Sequence, residues 1–173
     1  GFELGDMSNT TADHAVSMEI STADGVEVMR GPETLAYGSN TIAGIINIIT
    51  PFKNPKKLSS TNYKLLFGHE SSNQSNLIGS DVNIPLNNYQ LSMSLNNRST
   101  NDQSSPIGTL KNTALEKNDL TLSLTRFSER DLITIELKDF SMDYGIPGSP
   151  EGHINGVDLA LKNQTQKLKY HSD

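Results

Sequence analysis

Asp81-Val82-Asn83-Ile84-Pro85-Leu86-Asn87-Asn88-Tyr89-Gln90-Leu91-Ser92-Met93-Ser94-Leu95-Asn96 is two alternating runs on either side of an Asn-Asn pair. Leu91, Met93 and Leu95 recur at every second residue, with Ser92, Ser94 and Asn96 between them. A period of two is that of a β-strand, whose successive side chains point to opposite faces. Asn tolerates the positive φ that a two-residue hairpin turn requires. Folding the segment about Asn87-Asn88 puts Ile84 opposite Leu91 and Val82 opposite Met93, so the two apolar faces coincide.

The same alternation extends outward from this hairpin. Leu120, Leu122 and Leu124 alternate with Thr121, Ser123 and Thr125, and Ile133, Ile135 and Leu137 with Thr134, Glu136 and Lys138. Val157, Leu159 and Leu161 alternate with Asp158, Ala160 and Lys162. About six one-sided strands are expected, over 62–69, 75–85, 89–98, 118–127, 132–143 and 156–171. Glu129-Arg130 is a second tight turn, pairing Leu124 with Ile135 and Leu122 with Leu137. The connections 70–74, 99–117 and 144–155 are longer and polar. Short turns at one end and long loops at the other are the pattern of an outer-membrane barrel. Alternation by itself describes a soluble β-sandwich equally well. Phe67, Tyr89, Phe127, Phe140 and Tyr170 fall at or near strand ends, in the manner of an aromatic girdle.

Composition narrows the function. The 173 residues carry 14 Lys plus Arg against 20 Asp plus Glu, a net charge of −6. No basic cluster is present to displace counterions from phosphate, which argues against nucleic acid as a partner. With no cysteine, disulfides, thiolate metal sites and cysteine nucleophiles are excluded. No apolar run approaches the roughly 20 residues of a membrane helix. Only 34% of the chain is hydrophobic, while 20 Ser, 14 Thr and 17 Asn make 51 residues. That is lean for a two-sided core and sufficient for strands with one apolar face. No G-x-S-x-G, H-E-x-x-H or Walker loop occurs, so no enzyme is expected. The chain opens without an initiator Met or a signal peptide and closes within a strand pattern, and it reads as a piece of a longer protein.

The first fifty residues differ in kind. They mix short strands with turn signals, and Pro51 to Lys57 is the best linker. Val26-Glu27-Val28-Met29 is a strand candidate ending at Arg30-Gly31-Pro32, where Pro32 fixes φ and opens a helical turn. Tyr37-Gly38-Ser39-Asn40 is a turn, and Ile45-Ile46-Asn47-Ile48-Ile49-Thr50 is a β-branched strand. The stretch from Val26 to Thr50 resembles the end of the plug domain of TonB-dependent outer-membrane receptors. Its Val-Glu strand, Arg-Gly-Pro, Tyr-Gly turn and Gly-Ile-Ile-Asn follow the family pattern. Gly5-Asp6-Met7 and Asp13-His14-Ala15 resemble the upstream plug segment. Asp143-Tyr144-Gly145-Ile146-Pro147 and Gly152-His153 resemble an early barrel strand and its loop.

The resemblance implies a mainly β fold. Residues 1–53 would be the C-terminal part of a plug. Residues 54–173 would be the first six or so antiparallel strands of a transmembrane barrel that in the family has about 22 strands. It implies energised uptake of a scarce ligand across the outer membrane of a Gram-negative bacterium. The drive would come from the TonB complex, reached through a segment N-terminal to this chain. Outer-membrane lipid and a small transported ligand are the other partners. A non-transporting structural or adhesive β-domain is the competing reading.

The family also suggests roles. Glu27 and Arg30 would join a charge cluster, since a buried guanidinium needs carboxylate partners. Gly31, Gly38 and Gly44 would permit tight turns, Pro32 and Asn47 belong to the motif, and Tyr37 would pack. No cofactor is required. Zn²⁺, another metal or a metal chelate, a siderophore or haem would be cargo. Asp13-His14 is the sharpest metal candidate, an imidazole beside a carboxylate, with His153 as a loop ligand and His69 behind it. This pairing, with the Tyr-Gly-Ile-Pro…His loop, looks like the zinc-uptake branch of the family. Asp13→Ala and His14→Ala should each weaken Zn²⁺ binding in a titration of the receptor. Unchanged affinity in both would remove the site.

Overall fold

The computed structural model describes residues 23, 25–32, 34, 44–49, 55–150 and 152–172. The chain divides into two compact units, Gly1–Pro55 and Lys56–Asp173. The linker-based boundary after residue 53 falls two residues earlier.

In the first unit β1 (Gly25–Met29) pairs antiparallel with β2 (Ile45–Ile49), with Glu27 opposite Asn47. A single tight turn follows β1. The Gly31 carbonyl accepts both the backbone N–H of Thr34 at 3.1 Å and its hydroxyl at 2.8 Å. Gly31 has φ +89° and Gly44 φ +130°. A Cβ on Gly44 would lie 3.0 Å from the Met29 carbonyl, so a side chain there would push the strands apart.

The second unit is built on β3 (Asn62–Glu70), β4 (Ser75–Leu86), β5 (Tyr89–Thr100), β8 (Leu115–Phe127), β9 (Asp131–Ile146) and β10 (Val157–Ser172). These form one antiparallel sheet in the order β10-β9-β8-β5-β4-β3. Among the described residues the sheet is open, with β3 and β10 at its edges. Ile84 faces Leu91, Val82 faces Met93, Leu124 faces Ile135 and Leu122 faces Leu137, the pairings that the two turns predict. Asn87 takes φ +55°, which closes the first turn in two residues.

Three features depart from the sequence reading. The strands at 118–127 and 132–143 are longer, running over Leu115–Phe127 and Asp131–Ile146. The long connection after β5 contains its own hairpin, β6 (Gln103–Ser105) and β7 (Gly108–Leu110). Its alternation is too short for the period to register. Third, Phe140 is not part of a girdle. It lies mid-strand on the face of Glu136 and Lys138 and is 1% exposed. Among the described residues no helix is long and apolar enough to cross a membrane.

Asn87→Val should destabilise the second unit by about 1–2 kcal/mol, the cost of a branched residue in the left-handed region. Asn87→Gly should stay within a few tenths of a kcal/mol of wild type, as Gly is free of that cost. Chemical denaturation of the three proteins measures both.

Candidate functional site

The large sheet is inverted relative to a soluble one. On one face Ser92, Thr125 and Thr134 are at most 3% exposed. On the other, Leu91, Leu95, Ile135 and Leu168 are 39%, 43%, 50% and 74% exposed. Phe140 and Met142 are the only buried hydrophobic residues among those described, and both lie on the polar face. Water-soluble sheets bury the opposite set.

The polar face satisfies itself largely through its own side chains. The Thr125 and Thr134 hydroxyls lie 3.0 Å apart across the strands. Asn96 donates to the Ser94 hydroxyl at 3.3 Å, and Gln90 accepts from the Leu58 N–H at 3.2 Å. Charges are paired. Lys138 sits 2.7 Å from the buried Asp119 carboxylate and 5.8 Å from the Phe140 ring centre. Lys169 and Lys167 approach the buried Glu136 at 2.9 and 3.5 Å.

The apolar face carries an oblique band. Its last large apolar residues toward the loop end are Phe67 on β3 and Ile78 on β4, which are paired. The next are Leu95 and Leu120, also paired, but two residues below the row of Ile78 and Asn97. On β9 the limit is Leu137, two residues below Asp139, the partner of Leu120. On β10 it is Leu168, two residues below Gln166, the partner of Leu137. The margin thus drops six residues across five strand-to-strand steps. That is about 20 Å along the strands for about 24 Å across them, a slope of roughly 40°. Above the margin β10 changes sides. Val157, Leu159 and Leu161 share the face of Phe140 and Met142, while Gln164, Gln166 and Lys162 share the face of the leucines. The alternation at 157–161 is therefore as expected, but it belongs to the opposite face.

At the loop end the connections are stitched together. The Asp102 carboxylate accepts the Thr113 N–H at 2.8 Å and the Ala114 N–H at 3.1 Å. Gln103 N–H donates to the Thr113 hydroxyl at 2.7 Å. The Asn101 and Ser104 amides reach the turn after β3, donating to the Asn73 and Ser72 carbonyls, both at 2.8 Å. None of these residues stood out in the sequence. The only signal is an Asp and an Asn flanking a short polar hairpin, a pattern shared by many loops.

The motif residues of the first unit fare unevenly. Glu27 and Asn47 are brought together, Asn47 Nδ2 donating to Glu27 Oε2 at 2.7 Å. Arg30 ends β1 exposed, and no ion pair to it forms among the described residues. Asp13, His14, Tyr37 and Gly38 lie outside the described residues. His153 is exposed in the loop before β10, where its carbonyl accepts from Gly156 N–H at 2.9 Å. His69 Nδ1 is 3.0 Å from Asn76 Oδ1. Among the described residues no group of three or more His, Asp or Glu is placed to hold a metal ion. No family model matches the chain.

One group at the loop end titrates abnormally. Donation from the Thr113 N–H holds the Asp102 carboxyl below its ordinary 3.8, aided by the Asn112 and Ala114 amides and the Lys111 charge, against some desolvation. A value depressed by folding contributes stability that is full above 3.8 and is lost as pH falls through the folded value. The Thr113 and Ala114 amide shifts should therefore titrate with a midpoint below 3.8, and the transition should vanish in Asp102→Asn. A midpoint at or above the ordinary value would refute the anchoring.

Proposed function

We propose that this chain is part of a TonB-dependent outer-membrane transporter, comprising the end of its plug and its first barrel strands. The observation that carries the reading is the inverted, oblique apolar band on the large sheet. A sheet that leaves its leucines outward and buries its serines and threonines suits lipid on one side and a water-filled lumen on the other. A margin sloping at about 40° to the hydrogen-bonded rows is what a level bilayer would trace across strands tilted by roughly 35–45°. A soluble adhesive sheet has no reason to slant its apolar surface. The plug-like stretch Val26 to Thr50 adds to this, as does the division of the chain near residue 55.

In this reading the polar face lines the route of the ligand. The ion pairs Asp119–Lys138 and Glu136–Lys169 brace the wall rather than bind cargo, because each carboxylate is already engaged. The open edges at β3 and β10 would be closed by further strands, since an unpaired edge is not tolerated in lipid. The ligand would be a metal ion, a siderophore, haem or a similar scarce compound.

Single-cysteine labelling tests the topology, and the absence of native cysteine makes it clean. In whole cells producing the receptor, Ser105→Cys should react with a membrane-impermeant maleimide and Asn88→Cys should not. The reverse pattern, or equal reaction at both sites, would overturn the proposal.

A further inference from the structure

Asn112 stands between two loops that are far apart in sequence. It adopts φ +60°, which carries its side chain out of the hairpin β6–β7 toward the connection between β9 and β10. There Nδ2 donates to the Ile146 carbonyl at 2.8 Å and to the Val157 carbonyl at 3.2 Å. These two carbonyls end β9 and begin β10, so one amide spans the neck of the 147–156 loop.

The surrounding backbone is shaped for this amide. Gly145 packs against it so closely that a Cβ would lie 2.6 Å from Asn112 Oδ1 and 2.7 Å from its carbonyl. Gly156 has φ +82°, and a Cβ there would run into Asn112 Nδ2 and the Ile146 carbonyl. Gly145 N–H donates to the Ala114 carbonyl at 3.1 Å, a second tie between the same loops. Two glycines therefore clear the space that one asparagine fills. On the other side, Asp102 clamps Thr113 and Ala114, the residues directly after Asn112.

We infer that Asn112 is a positioning residue that couples the β6–β7 hairpin to the His153-bearing loop, so that the two shift as one body. A contact made at the hairpin tip, where Ile107 is wholly exposed, is then felt at residues 147–156. The path runs from Asp102 through Thr113 and Asn112 to the neck at Ile146 and Val157. The inference stands on hydrogen bonds within the second unit and does not depend on the transport reading.

Hydrogen exchange on the full chain tests it through a double-mutant cycle. Asp102→Ala removes the hairpin clamp and touches nothing in the 147–156 loop. It should nevertheless speed exchange of the Ser149, Gly152 and Gly156 amides by about fivefold, the size expected when one ordinary hydrogen bond is lost. Asn112→Gly keeps the left-handed backbone and removes the amide. In that background Asp102→Ala should have no further effect on the 147–156 loop while still loosening 103–114. Gly145→Ala, which crowds Asn112 out, should behave as Asn112→Gly does. Protection in β4 and β5 should be unchanged throughout, which separates uncoupling from misfolding. The inference is overturned if Asp102→Ala leaves the 147–156 loop untouched, or if its effect there persists in Asn112→Gly.

Discussion

The hydrogen-bond register set at Asn87-Asn88 governs which face of the large sheet carries the leucines. Once Ile84 stands opposite Leu91, the antiparallel ladder carries the row on through Leu124, Ile135 and Leu168. The period of two leaves no partial error. A slip of one residue would move every leucine to the polar face and every serine to the apolar one. The positive φ of Asn87 is small as a local cost, but it holds this parity where the sheet's central hairpin begins. Cross-strand pairs worth roughly 0.2–1 kcal/mol each then reinforce it row by row.

That parity creates an energetic problem which the polar face addresses. Glu136 and Asp119 are 6% and 5% exposed, and an unpaired buried carboxylate is costly. Lys169 and Lys167 on β10 meet Glu136 on β9, and Lys138 on β9 meets Asp119 on β8. Adjacent strands thus neutralise one another's charges. Such pairs add little net stability over apolar residues of the same size. They do tie β8, β9 and β10 to one alignment, because a shifted strand would strand a buried charge. With so few buried hydrophobic residues, the sheet has no second layer of its own to hide its leucines.

The two ends of the sheet differ in design. The Asn87-Asn88 turn is minimal and closed by backbone geometry. At the other end, side chains do the joining. Asp102, Thr113 and Asn112 supply bonds that no strand pairing offers, and Gly145 and Gly156 leave the room they need. The outcome is an ordered rim built from polar segments that have no apolar surface to bury, each short contact standing in for a core.

The strand pattern was legible in the chain because alternation and turn residues are local properties. The six large strands, both tight turns and the pairing of Leu124 with Ile135 follow from spacing alone. The β6–β7 hairpin was not legible, nor was the role of Asn112, whose partners lie 34 and 45 residues away. Glu27 and Asn47 were recognisable as motif residues, but only pairing β1 with β2 turned them into a hydrogen bond. Sequence by itself determined that each strand has one apolar face, since the period of two is written into the order of residues. Only the tertiary structure decided which face is covered, how the apolar margin slopes, and that Leu159 and Leu161 lie on the other side from Leu168. Those properties depend on the register between strands, which no single strand contains.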